Sequence, residues 1–362
     1  MVKNADQYAR NPAGSGWTGK KPATESSLPT IRLSDVQAKS VSWLYPNRYP
    51  NRAINLIAGQ GATGKTTYSA HLMSCITTGK DFHDAANEFP PRQCLYFGEE
   101  DDLDTVLRPK LDAAGADVSR VVAFDYERFF ASQGHGFNLA EHIKHLEKTI
   151  EEMKDCGAVF IDPLNGYLGA INSYSDNEAR SVLIPLQNLA KKYNIAIFGL
   201  CHLSKKSDAA AIDRVLGSVA FVNAARSVHL ITTDKETGLR FLTIEKANYS
   251  VDPTNLSFRI VDGAVAFADG ITTKTADDIL QAGRQKSDTT SQAVCWLRDK
   301  LKGGGVLSND IRDQASHEGY SRYALEAAKL ELKVVAKRDS FGGKWRLYLP
   351  GYAADTIEGV GV

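Results

Sequence analysis

The sequence predicts an α/β protein with a mostly parallel sheet, followed by a smaller unit of three helices and a hairpin. Three observations carry that prediction. From Ile31 to Ala268, short apolar runs alternate with amphipathic stretches, the rhythm of strands and their covering helices. Several of the runs are apolar at every position, as strands buried on both faces must be. Beyond a polar stretch at 271–290 the pattern changes to three helical segments and a short alternating pair.

Composition bounds the rest. At 362 residues, two or three folding units are expected at roughly 150 residues each. Lys+Arg 43 balances Asp+Glu 43, which excludes a polycation built to coat nucleic acid, so any such contact must come from a local patch. The cysteines (Cys75, Cys94, Cys156, Cys201, Cys295) are scattered, without a C-x-x-C pair, which argues against a zinc site or a disulfide framework. The N-terminus lacks an apolar core segment and no uninterrupted apolar run approaches 18 residues, so a soluble, cytoplasmic protein without a membrane span is expected.

Residues 1–30, rich in Gly, Pro, Ser, Thr and Lys, read as a disordered or loosely attached arm, and 31–270 as the α/β domain. Strands are expected at 54–58, 94–98, 121–125, 158–162, 195–200 and 228–232, with alternating edge strands at 241–247 and within 256–267. The stretches beginning at Thr66, Leu139 and Glu178 carry apolar residues at helical spacing. Residues 271–290 read as a linker, 291–350 as a second domain and 351–362 as a tail. In that second domain Ser321 is the expected cap of the third helix, and a hairpin turns at Phe341-Gly342-Gly343. Three helices and then a hairpin is the order of a winged helix-turn-helix.

The most specific motif is Gly59-Gln60-Gly61-Ala62-Thr63-Gly64-Lys65-Thr66, a complete G-x-x-x-x-G-K-[ST] followed by Thr67. A strand precedes it and an amphipathic helix follows, so its amides and the helix N-terminus offer positive potential to a phosphate. Lys65 is expected on the β/γ-phosphates of ATP and the Thr66 hydroxyl on Mg²⁺. Asp162, leaving the carboxyl end of a buried run, is the expected second Mg²⁺ holder. Glu99, Glu100, Asp101 and Asp102 end another strand. Four adjacent acids also describe a solvated loop, yet a carboxylate there would orient water for attack on the γ-phosphate; Glu100 is favoured and Glu99 competes. His202, ending a further strand, reads as a γ-phosphate sensor or as an ordinary satisfied histidine.

In order, AGQGATGKTT (58–67), LYFGEEDDLDTVLRPKLDAAGAD (95–117), VFIDPLNGYLG (159–169), GLCHLSKKS (199–207) and GSVAFVNAARSVHLI (217–231) resemble the RecA-type P-loop ATPases. The resemblance is to the branch containing the plasmid RepA hexameric helicase and its phage-borne relatives, and it spans about residues 41–265. It implies a RecA-like core and an ATP-hydrolysing, ring-forming DNA motor, a replicative helicase of hexameric assembly with replication proteins as partners. Lys65, Thr66 and Asp162 would then serve ATP and Mg²⁺, Glu100 would be the catalytic carboxylate and His202 the sensor. Arg226 becomes the cation reaching a neighbour's ATP, with Lys246 able to share or replace it. The Glu-Glu doublet departs from the commoner small-residue-then-Glu pattern, which keeps Glu99 open.

The same resemblance places channel-facing loops at 169–180 and 204–218, where Lys205, Lys206 and Arg214 would meet single-stranded DNA phosphates. Residues 285–350 hold 12 Lys/Arg against 8 Asp/Glu, so the winged-helix-like unit is expected to touch DNA through helix 321–332 and Lys337, Arg338, Lys344 and Arg346, or else to dock a protein. Two other classes compete. One is an ATP-gated DNA-binding regulator or assembly factor without unwinding; the other, a P-loop phosphotransferase, would need an Arg-rich lid that is not apparent.

Overall fold

The computed structural model describes residues 30–171, 175–204, 209–215, 219–250, 254–270, 272–338 and 343–351, with backbone alone at 282–288. The arm expected at 1–30 and the tail at 351–362 therefore lie almost wholly outside the described residues. Of the described residues, 30–40 belong to a unit of their own, with one 3-10 turn at Leu33–Asp35, and those from Val41 to Gly351 belong to the second.

That second unit opens with a small antiparallel pair, β1 (Trp43–Tyr45) and β2 (Tyr49–Pro50), before β3 (Ala53–Gly59), the strand that delivers the glycine loop. Helix α1 (Lys65–Thr78) follows directly. Then come β4 (Gln93–Gly98), α2 (Arg108–Ala114), β5 (Val121–Ala123), α3 (Tyr126–Gln133) and α4 (Leu139–Met153). Strand β6 (Cys156–Asp162), α5 (Asp176–Tyr193), β7 (Ala196–His202), α6 (Val219–Ala224) and β8 (Ser227–Thr233) complete the alternating part. The chain then turns antiparallel through β9 (Arg240–Ala247), β10 (Leu256–Val261) and β11 (Ala264–Phe267). The last two divide the stretch read as one alternating segment, at a turn where Asp262 and Gly263 both have positive φ.

The nine strands order as β11-β10-β9-β8-β3-β7-β6-β4-β5, and the six from β8 to β5 are mutually parallel. Two rows of side chains explain why the runs were apolar throughout. Ile54, Leu56, Val159, Ile161, Ile197 and Leu230 belong to one core with α4 and α5 residues. Ile57, Ala158, Phe160, Phe198, Leu200 and Ile231 belong to the other, with α1. Successive residues point to opposite faces, so burying both faces demands an apolar residue at every position. Phe160 and Phe198 stack 4.6 Å apart in the second core, and each such burial stabilises the fold by about 1.5–3 kcal/mol.

The stretch expected as a linker is helical instead. Helix α7 (Ala276–Leu301) starts inside it, because Thr275 and Asp278 form a reciprocal capping box that satisfies amides at the helix start. Polar composition hid a helix. The unit beyond contains β12 (Val306–Leu307), α8 (Ser308–His317), α9 (Arg322–Glu331), β13 (Val335–Arg338) and β14 (Trp345–Tyr348). The strands form a separate sheet ordered β12-β14-β13 over a core of its own, including Leu297, Ile311, Leu325 and Leu347. Ser321 does cap α9, accepting from the Ala324 amide at 3.1 Å. Among the described residues no helix is long and apolar enough to cross a membrane.

Candidate active site

Strand β3 ends at Gly59, whose close packing leaves no room for a side chain: a Cβ would lie 2.6 Å from the Ile231 carbonyl oxygen. The chain then loops through Gln60, Gly61, Ala62 and Thr63 to Gly64, which adopts φ +94 and releases α1 at Lys65. That conformation favours glycine, and a Cβ there would meet Ile260 at 2.8 Å. Lys65 is buried and donates to the Gly59 and Gln60 carbonyls at 3.2 and 3.1 Å, so the loop is held in shape by the ammonium that would grip a phosphate. Burial lowers its pKa from the ordinary lysine value, while the Asp162 charge works the other way.

Asp162 leaves β6 one strand removed from the glycine loop, with β7 between. It accepts from Thr66 Oγ1 at 3.2 Å and from the Tyr96 hydroxyl at 3.5 Å. Burial pushes its carboxyl up to about 6, against the Thr66 hydrogen bond and the Lys65 charge, which pull it down. A buried carboxylate beside the Thr66 hydroxyl, with the Tyr96 hydroxyl as its second donor, is an oxygen set that fits Mg²⁺.

Sequence-distant groups close the opposite wall. Glu100 lies with its Oε2 3.5 Å from His202 Nε2, and His202 Nδ1 stands 3.5 Å from Lys65 Nζ. The result is a relay of side chains from an exposed carboxylate, through an imidazole, to the Lys65 ammonium. Glu100 lines the cleft of about 360 Å³ together with Lys65, Thr66, Asp162 and His202, and Glu99 is not among its lining residues.

Three lining residues were not anticipated. Tyr96 sits mid-strand in β4 beneath Asp162, and Lys110 of α2 reaches the rim, 3.7 Å from Asp101. Ile260 comes from the antiparallel edge, where Arg240 also donates to the Thr63 carbonyl at 3.1 Å. None carries a local motif, so only the spacing of apolar residues around Lys110 and Tyr96 was available, and it reports helix and strand, not the cleft.

Other expected residues lie elsewhere. Arg226 precedes β8, with its amide donating to the Ile54 carbonyl at 2.9 Å, at the end of the sheet opposite the glycine loop. Four residue steps of strand run from Asn55, opposite Ser227, to Gly59, about 13 Å of rise. Lys246 is its near neighbour on β9, donating to the Val222 and Asn223 carbonyls at 2.8 and 3.2 Å, and the Arg226 charge helps lower its pKa after burial. Neither side chain has an acidic partner among the described residues. Arg214, expected at a DNA phosphate, is buried and donates to the Ser204 carbonyl at 3.1 Å. Lys205 and Lys206 lie outside the described residues. Lys337, Arg338 and Lys344 fall on the β13–β14 hairpin, with Arg338 over the Trp345 ring at 4.9 Å.

A glycine-loop cradle ending a central strand, with Asp162 across an intervening parallel strand, defines a P-loop ATPase of RecA-like fold. Residues 21–208, more than half of the chain, match the family described as AAA domain (AAA_25), and the chain belongs to that family. No curated protein matches it. Among solved structures it is similar to the crystal structure of the RadB recombinase, with 16% identity, TM-score 0.45, and coverage of 60% of this chain and 91% of that one. It is similar also to a second solved structure, itself an isolated ATPase domain, with 14% identity, TM-score 0.46, and coverage of 60% and 86%.

Proposed function

We propose that this chain is a ring-forming motor that hydrolyses ATP at subunit seams and acts on DNA, as a replicative helicase of phage or plasmid type. One observation carries the reading: Arg226 and Lys246 sit side by side, without an acidic partner among the described residues, at the sheet end remote from their own cradle. Two adjacent like charges repel each other, and an anion from a neighbouring molecule relieves that repulsion. A neighbour's ATP supplies that anion.

Within a seam the roles divide as follows. The amides of the glycine loop and Lys65 bind the phosphates, and Thr66 and Asp162 would hold Mg²⁺, which supplies charge neutralisation there when bound. Glu100 orients and deprotonates the attacking water as the γ-phosphorus–oxygen bond breaks to leave ADP and inorganic phosphate. His202, between Lys65 and Glu100, senses the γ-phosphate and passes the change to the residues after β7. Those residues, with Lys205 and Lys206, and the loop after β6 track one DNA strand. Arg226 stabilises charge developing on the neighbour's γ-phosphate.

A second reading is supported by the C-terminal unit. Its order of helix, strand, two helices and two strands, with Lys337, Arg338 and Lys344 on the hairpin, is that of a winged helix, the form of a DNA-bound regulator. Unwinding of a forked duplex separates the two. For the motor, Arg226→Ala and Glu100→Gln proteins are each inactive alone, assemble normally, and recover ATPase activity when mixed, because one mixed seam has both groups intact. If both variants assemble and the mixture stays inactive, the shared site is wrong.

A further inference from the structure

We propose that His135, Glu141 and His142 form a binding site for a divalent transition-metal ion of the zinc class, separate from the nucleotide cleft. One ligating atom from each of the three lies within 4.8 Å of the others. The proposal stands apart from the ATP reading and uses none of its residues.

His142 is the fixed point. It lies in the first turn of α4 with φ −112 and ψ 15, out of helical geometry, and its ring is buried. Phe129 meets it edge-on at 5.3 Å, and His135 stacks against it at 5.0 Å. Its Nδ1 is 3.0 Å from the Asn138 carbonyl and 3.1 Å from the Asn138 amide. The His135 Nδ1 is 3.2 Å from the Gly136 carbonyl. With Nδ1–H donating to the Gly136 carbonyl, His135 keeps a lone pair on Nε2; His142 accepts the Asn138 amide at Nδ1 in one tautomer and, in the other, donates Nδ1–H to the Asn138 carbonyl and frees Nε2, the tautomer that a bound metal would select.

Two imidazole nitrogens and one carboxylate oxygen select a borderline ion such as Zn²⁺, Co²⁺ or Ni²⁺ over Mg²⁺ or Ca²⁺, which prefer oxygen throughout. The start of α4 carries the positive end of its dipole, and the Glu141 charge offsets it. Tetrahedral ligands at ordinary zinc distances stand about 3.3 Å apart. Exposed His135 and Glu141 swing in by side-chain rotation to reach that spacing, and water takes the fourth position.

Occupancy would pin the α3–α4 turn to α4. Phe137 of that turn is buried against Phe97 and near Tyr167, at the ends of β4 and beyond β6. Asn138 presses on Gly169, where a Cβ would come within 2.9 Å. The ion therefore stiffens the support of the loop that follows β6.

The full chain, stripped with EDTA, is titrated with Co²⁺ as a visible-absorbing probe and then with Zn²⁺. Wild type is expected to give a visible band saturating at one Co²⁺ per chain and displaced by Zn²⁺. The same band is expected in Asp162→Asn and lost in His135→Ala and Glu141→Gln, both at exposed positions whose folding is checked by circular dichroism. Zn²⁺ is expected to raise the thermal midpoint of wild type and leave that of His135→Ala unchanged. No band, a band that survives in His135→Ala or Glu141→Gln, loss of the band in Asp162→Asn, or near-ultraviolet thiolate charge transfer marking a cysteine site would each overturn the proposal.

Discussion

The two ends of the same parallel strands are chemically opposite. At the carboxyl ends, a glycine loop, Lys65, Asp162, Glu100 and His202 converge on one cleft. At the amino ends stand Arg226 and Lys246, with a third cation treated quite differently: Arg48, buried, is bound to Asp84 at 2.7 Å and to the Thr254 carbonyl at 2.7 Å. Ser227, next to Arg226, donates to the Arg48 carbonyl at 2.7 Å and ties β1–β2 to the base of β8. Two arginines a few residues apart in space thus have different physical reasons to exist. One is neutralised by its own chain and locks structure; the other has no acidic partner among the described residues.

The largest expected effect lies at the carboxyl end. Lys65→Ala is expected to remove hydrolysis by about 10³-fold or more, and Glu100→Gln by about 10²–10³-fold with nucleotide binding retained, in steady-state ATPase assays beside fluorescent-nucleotide binding. Loss of binding in Glu100→Gln would break the division of roles.

The paired arginine comes next. Arg48→Ala is expected to cost about 3 kcal/mol in denaturant unfolding, because it removes a buried cation and strands Asp84. Arg226→Ala, by contrast, is expected to change stability by less than about 0.5 kcal/mol while abolishing activity in the assembled protein. Equal destabilisation by both would erase the contrast.

Acid acts on two buried groups, His71 and Asp162, in opposite directions. His71 on α1 is held down at about 4 by burial, helped by Lys80, so the fold favours its neutral form. Stability from it is complete above its unfolded value of about 6.5 and is lost as pH falls toward 4, by about 1.4 kcal/mol per pH unit at most. Asp162, raised to about 6, has the opposite sign: its contribution is complete below its unfolded value and is lost as pH rises through 6. In nucleotide-free protein the two offset each other between pH 6 and 4. Unfolding of Asp162→Asn across that range is expected to show a steeper acid loss than wild type.

The smallest effect probes the C-terminal unit. Ser321→Ala removes the cap of α9 and is expected to lower the stability of that unit by about 1 kcal/mol, measured by hydrogen exchange of α9 amides, with ATP binding unchanged.

Much of this was legible beforehand because it is local. The glycine loop, the acid at the end of an apolar run and the cap at Ser321 are contiguous signals, and both-face burial writes itself as uninterrupted apolar strands. Some of it was misread for an equally physical reason. Residues 271–290 are polar, yet a capping box and a long helix need no apolar majority when only part of the helix is buried. Arg214 looked like a phosphate contact because a basic residue in a polar loop usually faces water; here its side chain is buried and donates to the Ser204 carbonyl.

From residue order alone came the nucleotide cradle, the acids at strand ends and the alternation of strand and helix, since each depends on neighbours within a few positions. The three-dimensional packing decided which of Glu99 and Glu100 faces the cleft and that Tyr96, Lys110 and Ile260 join it. It also set Arg226 and Lys246 side by side at the far end. Those are distances between segments remote along the chain, and no local pattern encodes them until the sheet brings them together.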